Sequence, residues 1–168
     1  AEFIAPEVLS TKHLSKTDPN RKLPNRLTDL HALPVLIYMF LLHRHPLKGG
    51  KVHDLDTEKD DLLSMGEKAL FIEHPKDATN RPKLNQVSKW DLPWADIAKL
   101  PYSITGPYLK ALFDKVFIDG LHNPMQRPTA EEWEIGLLKT TDLMQKCHNV
   151  SCEQKWYVFD NTNTPKCP

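Results

Sequence analysis

The sequence holds 168 residues, enough for one domain with a substantial core, and its 22 basic and 22 acidic side chains cancel. That balance supplies no global field to draw in a nucleic acid or an anionic membrane. Proline outnumbers glycine by 14 to 6, so long connections of fixed φ are expected between the elements.

No charged-then-apolar leader follows Ala1, which reads as no secretory signal. Residues 1–27 are irregular, punctuated by Pro6, Pro19 and Pro24, with a short helical turn expected over Pro6–Ser10. Thr28 or Asp29 is placed to cap a helix carrying Leu30, Leu33, Leu36, Ile37, Phe40 and Leu41. Val35, Met39 and Leu42 fill its other faces, so this helix is expected at the domain centre, covered on every side. Pro34 is expected to bend or restart it. The apolar run from Leu33 to Leu42 is about half a membrane span, so it reads as core and implies no membrane.

A Gly49-Gly50 loop leads to a polar helix expected over Thr57–Ile72, with Leu62, Met65, Ala69 and Ile72 at helical spacing. Residues 73–105 form a long Pro-rich connection, anchored in this reading by Trp90 and Trp94. From Thr105 to Gly120 one face collects Leu109, Leu112, Phe113, Val116 and Phe117, continuing to Leu121. Thr129 and Glu132 match a capping box that opens a last helix with Trp133 and Leu137 turned inward. Beyond Cys147 the pattern changes, and Trp156–Phe159 is a short strand signal. The fold class read from these patterns is mainly α with a short C-terminal β element.

Three segments together carry a family resemblance. Phe3-Ile4-Ala5-Pro6-Glu7-Val8 is similar to the Ala-Pro-Glu motif that closes a protein-kinase activation segment. Thr28-Asp29-Leu30-His31-Ala32-Leu33-Pro34-Val35-Leu36-Ile37-Tyr38, followed by His45-Pro46-Leu47, resembles the family's central helix and the turn after it. Asn123-Pro124-Met125-Gln126-Arg127-Pro128-Thr129-Ala130 is similar to the Asp-Pro-x-x-Arg-Pro-Thr signature before the last helix. Residues 1–144 therefore resemble the C-terminal lobe of a eukaryotic-type Ser/Thr protein kinase, with residues 145–168 a separate, partial zinc-ribbon-like tail. Pro34 and Asn123 depart from the family pattern, standing where a small residue and Asp are usual. The wording around His43 and the cysteine tail resembles bacterial kinases of tellurite-resistance and stress operons. That likeness implies a von Willebrand A-type protein or a phosphatase as partner.

The resemblance implies a buried ion pair between Glu7 and Arg127, which would tie the activation-segment end to the last helix. It implies that Asp29 braces the catalytic loop by accepting backbone N–H bonds; the plainer reading of Asp29 is the helix cap named above. Phe3, Ile4, Ala5 and Pro6 would belong to the loop that docks a peptide substrate. Phosphoryl transfer needs a nucleotide cradle, Mg²⁺-binding carboxylates and an aspartate aimed at the substrate hydroxyl. The 168 residues contain no Gly-x-Gly-x-x-Gly and no Asp-Phe-Gly, and His43-Arg44-His45 puts a histidine where the catalytic Asp would stand. ATP and Mg²⁺ are therefore expected only with an N-terminal half, and the chain by itself is expected to be inactive.

Cys147-x4-Cys152 and then Cys167 resemble a zinc ribbon whose second knuckle is short. Zinc prefers four N or S ligands, so a fourth would come from His148, a further residue or another chain. An odd, clustered set of thiols also favours a reducing, cytoplasmic setting over a disulfide framework. His31, His43 and His45 form a weaker alternative metal set, set against ordinary polar roles at helix ends. A rival reading is a non-catalytic module that binds a protein partner through the 73–105 loop. Lys146, Lys155 and Lys166 are too few for a nucleic-acid site.

Overall fold

The computed structural model describes residues 2–83, 97, 100–153 and 155–159. Trp90, Trp94 and Cys167 lie outside them, as do residues 84–96 and 98–99 of the expected Pro-rich connection. The described chain is mainly helical. Its helices are α1 (Pro6–Ser10), α2 (Arg26–Leu42), α3 (Thr57–Met65), α4 (Gly106–Asp114) and α5 (Ala130–Asp142). A two-stranded antiparallel hairpin follows, β1 (Met144–Lys146) with β2 (Trp156–Val158), in the register Gln145 opposite Tyr157. No helix among the described residues is long and apolar enough to cross a membrane.

The cap of α2 is Asn25, three residues before the expected start. The Asn25 side chain accepts from the Leu27 N–H at 2.8 Å, and the Thr28 hydroxyl accepts from the Asn25 N–H at 2.9 Å. Thr28 is thus the return half of a capping box, and Asp29 sits in the first turn, where its charge meets the positive helix end. The helix continues through Pro34 without a break, although Pro34 offers Leu30 no N–H.

The expectation that α2 is covered on every side is not met. Thr28, His31, Pro34, Val35, Tyr38 and Leu42 are buried, while Leu36 and Phe40 are 55% and 79% exposed. Near-uniform apolarity hid which face turns inward. Neighbours cover one side only.

Helix α3 stops at Met65, seven residues short of the expected end at Ile72. Gly66 terminates it, and the Lys68 N–H bonds back to the Leu63 carbonyl at 3.0 Å. Freed from the helix, Ala69, Phe71 and Ile72 drop into the core as loop residues. There they join Val35, Tyr38 and Leu42 of α2, and Leu109 and Phe113 of α4. Trp133 of α5 closes this core, with its ring centroid 5.0 Å from that of Phe113. Tyr38 packs edge-on to Phe113 at 5.1 Å and to Phe71 at 5.8 Å. Such aromatic pairs add about 0.5–1.5 kcal/mol each beyond their buried area.

The expected Thr105–Gly120 helix is α4 plus one π turn over Lys115–Asp119, closed by Gly120 N–H to the Lys115 carbonyl at 2.8 Å. The capping box at Thr129 forms on both sides: Glu132 N–H to the Thr129 hydroxyl at 3.2 Å, and Thr129 N–H to the Glu132 carboxylate at 2.7 Å. Leu137 was expected inward and is 38% exposed; Trp133, Gly136 and Thr140 form the buried face instead. A Cβ on Gly136 would come within 2.5 Å of the end of the Leu112 side chain, so α4 and α5 pass close together at that point. The hairpin is fastened to the helices. Phe159 N–H donates to the Leu143 carbonyl at 2.9 Å, and Val158 packs onto Gly106, whose φ is +75°.

Candidate functional site

The densest polar assembly among the described residues gathers at Arg127. Its position is prepared by Gly120, which ends the π turn: a Cβ there would lie 2.9 Å from the Arg127 side chain. The 3-10 turn Pro124–Gln126 then hands Arg127 into extended backbone at φ −68°, ψ 136°, just before Pro128. Its guanidinium is fully buried and every N–H is usable in a bond. Nη1 donates to Glu7 Oε1 and Nη2 to Glu7 Oε2, both at 2.8 Å. Nη1 also donates to the Leu27 carbonyl at 2.8 Å, Nη2 to the Leu121 carbonyl at 3.2 Å, and Nε to the Gly120 carbonyl at 2.9 Å. A planar fork meeting a carboxylate is the strong, directional form of an ion pair.

Glu7 reaches this point because Pro6 begins α1 and puts Glu7 in its first turn, with Ala5 and Pro6 buried. One side chain thereby ties together the first turn of α1, the start of α2 and the entry to α5. Phe3 and Ile4, immediately before, are 43% and 37% exposed.

The same N-terminal stretch is held a second time. Leu47 N–H donates to His45 Nδ1 at 3.1 Å, so the neutral ring carries its proton on Nε2, which donates to the Glu2 carbonyl at 2.9 Å. Burial lowers the pKa of His45. Both of its nitrogens are engaged, so the alternative metal set of His31, His43 and His45 is not built. Among the described residues no three His, Cys, Asp or Glu converge on a metal position.

His31, from the second turn of α2, lies wholly inside, with its ring edge-on to Phe117 at 6.2 Å and neither nitrogen hydrogen-bonded. Burial first, then the positive charge of Arg127 and then His45, lower its pKa to about 3. It is a neutral core residue beneath the clamp. Asp29 is exposed on the same helix.

Sequence reasoning missed a second buried pair. Arg44 Nη2 donates to Glu73 Oε1 at 2.9 Å and Nη1 to the Leu100 carbonyl at 2.7 Å, with side-chain exposures of only 6% and 11%. The run His43-Arg44-His45 drew attention as a motif, yet its middle residue pins the α2 exit to a segment 29 residues away. Asn80 was missed as well. It donates to the Leu47 carbonyl at 2.9 Å and the Leu70 carbonyl at 2.6 Å, and its own carbonyl would lie 1.6 Å from a Cβ on Gly49. The Gly49-Gly50 pair was the legible trace of that close approach.

Cys147 and Cys152 are half-buried thiols on the hairpin connection. Cys147 N–H donates to the Lys155 carbonyl at 2.8 Å and Cys152 N–H to the Asn149 carbonyl at 3.0 Å. Among the described residues no third His, Cys, Asp or Glu joins these two thiols at a metal position. Comparison with protein-family models, with curated proteins and with solved structures gives no match for the chain.

Proposed function

We propose that the chain is the substrate-binding lobe of a Ser/Thr protein kinase, inactive by itself. In this reading a nucleotide-binding half supplies the ATP and Mg²⁺ sites. The observation that carries it is the bidentate Glu7–Arg127 bond, which joins the Ala-Pro-Glu segment to the Arg-Pro turn across 120 residues of chain. Phe3 and Ile4, exposed beside that fixed point, are the surface on which a peptide would dock. His45 steadies the same stretch through the Glu2 carbonyl. The reading keeps a cytoplasmic setting, with a protein substrate and regulatory partners such as a von Willebrand A-type protein or a phosphatase. Cys147 and Cys152, with Cys167, are proposed as part of a zinc site that needs one more ligand. Elemental analysis showing only traces of zinc in the purified protein would remove that part.

A second reading, a non-catalytic protein-interaction module, is favoured by the exposed Leu36 and Phe40 on α2. The two are separated by assaying labelled-ATP transfer with residues 1–168 and with the product of the whole reading frame that encodes them. The kinase reading expects transfer by the whole product and none by residues 1–168. No transfer by either favours the module, and robust transfer by residues 1–168 would overturn the assignment of an inactive lobe.

A further inference from the structure

A cavity of about 230 Å³ lies where α2, α4, α5 and the hairpin meet. Leu41, Ile104, Leu109 and Leu137 line it from the helical side, and Met144 and Val158 close it from the hairpin. Three threonines also face it, but their hydroxyls are committed elsewhere. Thr105 donates to the Tyr102 carbonyl at 2.9 Å, Thr140 to Gly136 at 2.8 Å and Thr141 to Leu137 at 2.9 Å. Each of these donors is spent on a backbone carbonyl, so none is left for a guest. A lining without free donors holds water poorly and suits an apolar guest.

We propose that this cavity binds the alkyl part of a medium-chain amphiphile, with the polar head left at the solvent mouth. Dry apolar cavities of about 150 Å³ accept benzene, and scaling that by volume gives room for about nine carbons here. The site is independent of any kinase activity and rests on the cavity alone. Because Met144 and Val158 form one wall, occupancy also fastens the hairpin to the helices. The ligand and the hairpin–helix contact are therefore linked, and each favours the other.

The test uses the full chain with straight-chain alkanols and alkanoates of six to fourteen carbons, kept below their aggregation concentrations. The expected result is a rise in Tm of about 3–6 °C at ten times Kd, peaking at about eight to ten carbons. Amide exchange at Phe159 and Cys147 should slow in parallel. Equal response to alkanols and alkanoates of one length shows that the tail is read; a preference for alkanoates shows a charged head group contributing. The filling variant Leu137→Trp should abolish both effects while keeping the unliganded Tm, because Leu137 is partly exposed and can extend into the space. Leu138→Trp, on a residue 61% exposed and outside the lining, should leave them intact. Overturning results are a Tm unmoved by every chain length, a response that grows without an optimum, or one that survives Leu137→Trp.

Discussion

Replacing Arg127 by Met removes a buried cation and all five of its hydrogen bonds while keeping most of the side-chain volume. The Glu7 carboxylate then stands unpaired with 24% exposure, and the carbonyls of Leu27, Gly120 and Leu121 lose a donor. Breaking a buried pair from one side costs about 3–5 kcal/mol. At about 2–4 °C per kcal/mol for a chain of this size, Tm should fall by about 6–20 °C. Glu7→Gln is the milder change. It discards the charge, but the carboxamide oxygen still accepts one bond, the site is partly solvated, and the three carbonyls keep their donors. Its cost should be about 1–3 kcal/mol. Arg127→Lys should fall near Arg127→Met, because an ammonium cannot satisfy a fork and three carbonyls together. Urea unfolding followed by circular dichroism, for Arg127→Met, Glu7→Gln and the double variant that combines them, gives the values and the coupling between them. The ordering is the sensitive part. A cost below about 1 kcal/mol for Arg127→Met, or equal costs for the two single variants, would refute the reasoning that the guanidinium joins three elements.

Stability should also fall with acid. The pKa of His31 is about 3 when folded and near 6.5 unfolded, so below pH 6.5 the unfolded chain takes up a proton that the folded chain refuses. Native stability is therefore intact above about pH 6.5 and declines towards pH 3, and His45 adds in the same direction. Urea midpoints at pH 7, 5.5 and 4.5 should drop steadily in the native sequence and less steeply in His31→Phe; parallel slopes would refute the assignment. Gly49→Ala puts a Cβ 1.6 Å from the Asn80 carbonyl, so the loop must open, and a loss of at least about 2 kcal/mol is expected in the same assay. Phe40→Lys, on a side chain 79% exposed, should alter stability by no more than about 0.5 kcal/mol in the same assay. A large destabilisation would mean that Phe40 is covered.

Local signals in the sequence were sound where one residue sets the geometry. The start of α5 at Thr129 and Glu132 was readable because a capping box is completed within four residues. The short helix at Pro6 and the strand at Trp156 were likewise legible from proline at a helix start and from β-branched and aromatic crowding. The cap of α2 was misplaced because two polar residues inside its first turn also carry capping side chains, and Asn25 was passed over. The end of α3 was overrun because Ala69 and Ile72 keep helical spacing even though Gly66 has already stopped the helix. Periodicity reports which residues are apolar, and a loop entering a core is apolar for the same reason as a helix face.

By itself the sequence determined that the chain folds mainly as helices and where several of them begin; the pairing of Glu7 with Arg127 was an expectation from the family resemblance alone. Only the tertiary structure decided which face of α2 is buried, that Arg44 meets Glu73, and that the hairpin forms one wall of an apolar pocket open to solvent. Those outcomes depend on surfaces brought together from distant parts of the chain. An Arg, a Glu or a leucine stripe has the same local signature whether its partner is protein or water.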